Sequence, residues 1–114
     1  MPPDDAIRLR HMIDAAKSAQ HFVTGRSRGD LDSDSMLLFA LVRAIEIVGE
    51  AASRIAPDAR MALPSIPWAE IISMRNRPAH GYFDIDADIL WKTATVEIPE
   101  LLALLSRAYG RSSP

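Results

Sequence analysis

The sequence predicts an all-α protein, an up-and-down helical bundle of four main helices. Three observations carry this. Apolar residues recur at three- and four-residue spacing over long stretches. Clusters of Gly, Pro, Ser and Asp separate those stretches. No alternating apolar and polar run is long enough to be a credible strand. With 114 residues, 48% of them hydrophobic, the chain suffices for one ordinary core, so a single domain over 1–114 is expected.

After Pro2-Pro3, Asp4 or Asp5 can cap a first helix carrying Ile7, Met12, Ile13, Ala16, Ala19, Phe22 and Val23, stopping at Thr24-Gly25. Residues 25–35 read as a loop in which Asp32, Ser33 and Asp34 are competent caps for the next helix. That second helix spans about 34–56 and ends at Pro57. Its apolar residues, among them Met36, Phe39, Leu41, Ile45, Ile47 and Val48, point in nearly every direction around the axis, which requires burial on more than one side. Either its neighbours cover it or a second copy of the chain does, and the dimer is favoured. Arg43, Glu46, Glu50 and Arg54 form a narrow charged stripe along it, read as a solvated edge.

Residues 57–66 form a loop, and Pro67 suits the first turn of a third helix through Trp68, Ile71, Ile72 and Met74, limited by Pro78. A last helix starts at Asp86 or Asp88 and runs to about Tyr109, with a kink at Pro99, which cannot donate to the carbonyl of Thr95. The tail 110–114 is expected to fray.

Composition excludes several functions. No stretch approaches the roughly 18 uncharged residues that span a membrane, and no export or transit signal precedes the first helix, so a cytoplasmic location is expected. The absence of cysteine removes disulfides, thiolate metal sites and cysteine nucleophiles. A net charge of −2 argues against a broad basic surface for duplex nucleic acid. It leaves room for a local cleft, and eleven of the thirteen basic residues are Arg, whose fork suits phosphate.

His11 and His21 lack the spacing that places two ligands on one helix face and read as solvated. Asp84, Asp86 and Asp88 alternate as in a calcium loop, but Ile89 and Thr95 stand where Gly and Glu are needed, so they read as helix caps. No metal site and no cofactor are expected.

The remaining chemistry crowds into Arg75-Asn76-Arg77-Pro78-Ala79-His80-Gly81-Tyr82. On a straight helix Arg75 and His80 would point roughly 140° apart. Pro78 breaks the helical hydrogen bond to Met74 and pushes Arg77 out of helical angles, so a turn is expected that lets the two side chains converge. An imidazole with an unperturbed pKa of about 6.5 can exchange the proton of a ribose 2′-hydroxyl or of a leaving oxygen. A guanidinium offsets charge on the phosphate in the transition state. One His serves poorly as both base and acid, and a two-fold dimer would supply a second. Read from the residues alone, Arg-x4-His arises readily by chance in so Arg-rich a chain, and a helix-terminal ion-pair cluster is the simpler reading.

The string Arg75-x4-His80-x-Tyr82, with Asn76 and Phe83 beside it, resembles the signature of HepT-like toxins in the HEPN superfamily of RNases. Ile45-Glu46-Ile47-Val48-Gly49-Glu50-Ala51-Ala52 upstream, Ile66-Pro67-Trp68 before the motif, and Trp91 with Pro99-Glu100-Leu101 after it are similar to family landmarks in the same order. Pro78-Ala79 stands where larger aliphatic residues are usual in the family. The resemblance implies a HEPN-like helical bundle and a homodimer with the motifs facing across its axis. It also implies metal-independent endoribonuclease activity on RNA, with Arg75 and His80 catalytic and Asn76 and Arg77 supporting the phosphate. Finally, it implies a partner, an MntA-like nucleotidyltransferase antitoxin that neutralises the toxin by AMPylation of Tyr82. The alternative is a non-catalytic helical subunit that binds substrate for, or regulates, a nucleotidyltransferase; such an adaptor has no need of the Arg75 and His80 pair.

Overall fold

Two prolines ahead of two aspartates start the first helix, α1 (Pro3–Val23). The computed structural model describes residues 1–75 and 85–110 in full, with the backbone of 76 and of 111–112. The sequence offered Asp4 or Asp5 as the cap of α1, but neither caps it: Pro2 holds the cap position, and the aspartates lie in the first turn. Pro3, at the first helical position, has no N–H to satisfy, and carboxylates in the first turn interact favourably with the positive end of the helix dipole, so the start is stable without a side-chain cap. Asp5 is instead buried, and its Oδ1 accepts a hydrogen bond from the amide of Ala56 at 3.2 Å. At the other end the Thr24 hydroxyl donates to the carbonyl of Gln20, and Gly25 takes the left-handed φ of 73° that turns the chain back.

A short helix, α2 (Asp30–Ser33), lies inside the stretch expected to be loop. Asp34 then caps α3 (Ser35–Ser53), its carboxylate accepting from the amide of Leu37 at 3.1 Å, as the sequence led us to expect. This helix stops three residues short of Ala56. Its last turn tightens, with the amides of Arg54 and Ile55 donating to the carbonyls of Ala51 and Ala52, and Ala56 is extended because a proline follows it. Pro57 therefore begins a helix, α4 (Pro57–Met61), which the sequence reading missed.

The third main helix is short: α5 (Trp68–Ser73), with Pro67 at its cap and not within its first turn, continues into a 3₁₀ turn (Met74–Asn76). Trp68 fastens it to the preceding segment, because its indole N–H is shared between the carbonyls of Arg60 at 3.0 Å and Leu63 at 3.1 Å. The last helical run comprises α6 (Ala87–Lys92), a π turn (Thr93–Glu97) and α7 (Ile98–Ser112). The break expected at Pro99 takes the form of that widened turn, in which the amide of Ile98 reaches five residues back to Thr93. The run extends past Tyr109 to Ser112, through part of the tail expected to fray.

Helix α1 packs against α3 and α7, and α3 packs also against α5 and the 3₁₀ turn. Leu9, Met12, Leu41, Ile45, Val48, Ile71, Leu90, Ile98 and Leu105 are fully buried and belong to one continuous core. The neighbours of α3 thus cover most of its circumference. What they leave exposed is Met36 (82%) and Phe39 (59%), with Arg43 and Arg54 on the same side. Arg28 ties α2 to α6 through Asp88 at 2.6 Å. No described helix is long and apolar enough to cross a membrane.

Candidate functional site

The segment that carries the Arg, His and Tyr begins where α5 runs out. Met74 is buried and fixes the start of the 3₁₀ turn in the core, while Arg75, one residue on, is exposed. The turn lies against α3 backbone to backbone at Gly49. A Cβ placed on Gly49 would come within 2.9 Å of the Arg75 amide nitrogen, 3.0 Å of the Arg75 Cβ and 3.1 Å of the Ile71 carbonyl oxygen. Arg75 therefore has a pinned backbone and a side chain in solvent.

Among the described arginines, Arg54, Arg60 and Arg107 share with Arg75 the lack of an ion pair, and the rest are paired. Arg10, Arg26, Arg28 and Arg43 each pair with at least one carboxylate, at distances from 2.6 to 3.6 Å. Arg75 has no ion pair among the described residues. A guanidinium so held can present its fork of N–H donors to a phosphate without first giving up an acid partner.

Arg77, Pro78, Ala79, His80 and Tyr82 lie outside the described residues, as does the expected convergence of Arg75 and His80; of Asn76 the backbone alone is described. On the far side the chain re-enters α6 under tight control. The Asp86 carboxylate accepts from the amides of Asp88 at 3.0 Å and Ile89 at 3.1 Å, and Asp88 is held by Arg28. Two of the three alternating aspartates thus do helix and ion-pair work, and Asp84 lies outside the described residues. Among the described residues no group of three or more His, Asp or Glu side chains is arranged to hold a metal ion.

His11 and His21 are exposed, as the sequence suggested. His11 lines a shallow cleft with Arg43, Glu50 and Arg54, and within the predicted charged stripe Arg43 bridges to Glu46 at 3.6 Å and to Glu50 at 3.4 Å.

Comparison with known proteins decides the family. The profile described as ribonuclease HepT-like matches residues 12–108. The chain belongs to the HepT-like family. A protein of Thermococcus cleftensis named "Probable ribonuclease HepT" is 37% identical over 93 residues, covering 82% of this chain and 84% of that one. "Putative RNase MJ1380" of Methanocaldococcus jannaschii is 32% identical over 93 residues, 82% and 85% of the two chains. "Putative RNase TTE0752" of Caldanaerobacter subterraneus is 37% identical over 93 residues, 82% and 83%. No solved structure matches the chain significantly.

In this HepT-like chain the landmarks that suggested the family have visible structural jobs. Ile66 is buried, Pro67 caps α5 and Trp68 closes α4 against it. In the helix-two landmark, Gly49 is the point at which α3 admits the turn of Arg75. Sequence reasoning passed over Gly49. The available signal was a glycine inside a helix of otherwise good formers, which weakens a helix unless something must approach closely.

Proposed function

We propose that this HepT-like protein is a metal-independent endoribonuclease toxin whose active site is built from Arg75 and His80. The observation that carries the reading is Arg75: seated against α3, exposed, and without an ion pair among the described residues, five positions before His80. Ribonuclease is also the activity that names the family profile and the relatives.

In this reading His80 takes the proton of a ribose 2′-hydroxyl, and the oxygen attacks the adjacent phosphorus. The bond to the 5′-oxygen breaks, leaving a 2′,3′-cyclic phosphate, and the His80 of a second copy returns a proton to the leaving oxygen. Arg75 offsets the charge that grows on the phosphate oxygens, with Asn76 and Arg77 as supporting contacts. The chemistry uses proton transfer and hydrogen bonding alone and calls for no metal. The protein acts as a homodimer of single HEPN-like domains in the cytoplasm. Met36 and Phe39, exposed beside the charged stripe of α3, support a second copy on that face.

Control is assigned to Tyr82. An MntA-like nucleotidyltransferase antitoxin transfers AMP from ATP to the phenolic oxygen and releases pyrophosphate. The added phosphate places negative charge and bulk two residues from His80, where RNA phosphate must sit. Expression in cells tests the whole reading. The wild type should arrest growth and degrade RNA, and His80→Ala should do neither; equal toxicity of the two proteins would refute it.

A further inference from the structure

At Gly49 the turn of Arg75 comes so close to α3 that the contact leaves no room for a side chain. Of the three atoms nearest to a Cβ there, two are backbone, the Arg75 nitrogen at 2.9 Å and the Ile71 oxygen at 3.1 Å; the third is the Arg75 Cβ at 3.0 Å. None of the three lies at the end of a flexible side chain that could rotate away. Any residue other than glycine must push the turn off α3. Met74, buried next to Arg75, anchors the turn on its core side, so the displacement falls on Arg75. A small tilt at its Cα becomes a larger shift at the guanidinium, at the far end of a long side chain.

We infer that Gly49 is a positioning residue: it sets where the Arg75 guanidinium meets RNA phosphate, from a helix that carries no catalytic group. The inference rests on the reading of Arg75 as the phosphate-binding arginine. It separates Gly49 from Gly110, whose added Cβ would find nothing within 4 Å.

The test uses the full chain and two substrates, a cleavable single-stranded RNA and its uncleavable 2′-O-methyl counterpart. Gly110→Ala should bind and cleave like the wild type. Gly49→Ala should melt cooperatively but cleave about 100-fold more slowly, the scale expected for a displacement near 1 Å at a reacting centre. It should also weaken binding of the uncleavable RNA about as much as Arg75→Ala does, and the double variant should bind no worse than Arg75→Ala alone. Additive losses in the double variant, or wild-type cleavage by Gly49→Ala, would overturn the inference. So would loss of cooperative melting in Gly49→Ala, which would make Gly49 a residue of the core. A wild type that neither cleaves the RNA nor loses affinity on Arg75→Ala would instead defeat the ribonuclease reading on which the inference stands.

Discussion

Arg75 joins an exposed side chain to a pinned backbone, and the two properties answer to different experiments. Its guanidinium supports no described part of the fold, so Arg75→Ala should abolish cleavage while leaving helical circular dichroism intact and stability within about 0.5 kcal/mol of the wild type. A melting transition lowered much beyond that would make Arg75 a structural residue. Tyr82 can be separated from Tyr109, over whose ring Arg10 lies at 5.7 Å in the contact between α1 and α7. Incubation with ATP and the nucleotidyltransferase should place AMP on Tyr82 and leave Tyr109 unmodified, as read by peptide mass spectrometry; an adduct on Tyr109 would contradict the regulatory reading. At this scale the sequence was legible for His11 and His21, read as solvated and found exposed. It was opaque where a residue matters for what it lacks, as Gly49 does, since the close approach exists only once α5 has folded onto α3.

The segment joining α1 to α3 is organised by one arginine between two acids. Arg26 bonds Asp30 at 3.2 Å and Asp34 at 2.8 Å. The Ser27 amide and Arg26 hold the Asp30 carboxyl below the ordinary carboxylate range, and Arg26 and the Leu37 amide do the same for Asp34. Carboxyls with lowered folded pKa values stabilise above their unfolded value of about 3.9 and cease to do so as pH falls through the folded value. The melting difference between wild type and Arg26→Ala should therefore be present at pH 7 and shrink well below pH 4. A difference independent of pH would show that Arg26 acts through packing. Trp68 makes a second element-scale device. Trp68→Phe leaves two carbonyls without their indole donor and should cost about 1–3 kcal/mol in urea unfolding; an unchanged midpoint would remove the staple between α4 and α5. Helix identities were readable from apolar spacing, and Asp34 and Asp86 from cap chemistry. The ends were less so. Whether Pro57 closes α3 or opens α4 depends on the amide of Ala56, which is satisfied by Asp5, a residue 51 positions away.

For the whole molecule, the all-round apolar character of α3 had two explanations, and the fold supplies much of one of them. Helix α1, α5 and the 3₁₀ turn all pack on α3, and Leu41, Val42, Ile45 and Val48 are buried within a single chain. Met36 and Phe39 remain exposed, and the proposed dimer on that face predicts that light scattering gives about twice the 12.6 kDa chain mass. A monomer at micromolar concentration would remove both the dimer and the mechanism with two histidines. The bundle itself was legible because helical periodicity needs only near neighbours, whereas the pairing of helices depends on contacts far apart in sequence. The central claim, that Arg75 and His80 cleave RNA without metal, is tested most directly by purified protein acting on single-stranded RNA in EDTA. The account predicts cleavage by the wild type to products ending in 2′,3′-cyclic phosphate and none by Arg75→Ala or His80→Ala. Strict dependence on added magnesium or manganese, or undiminished cleavage by either variant, would contradict it.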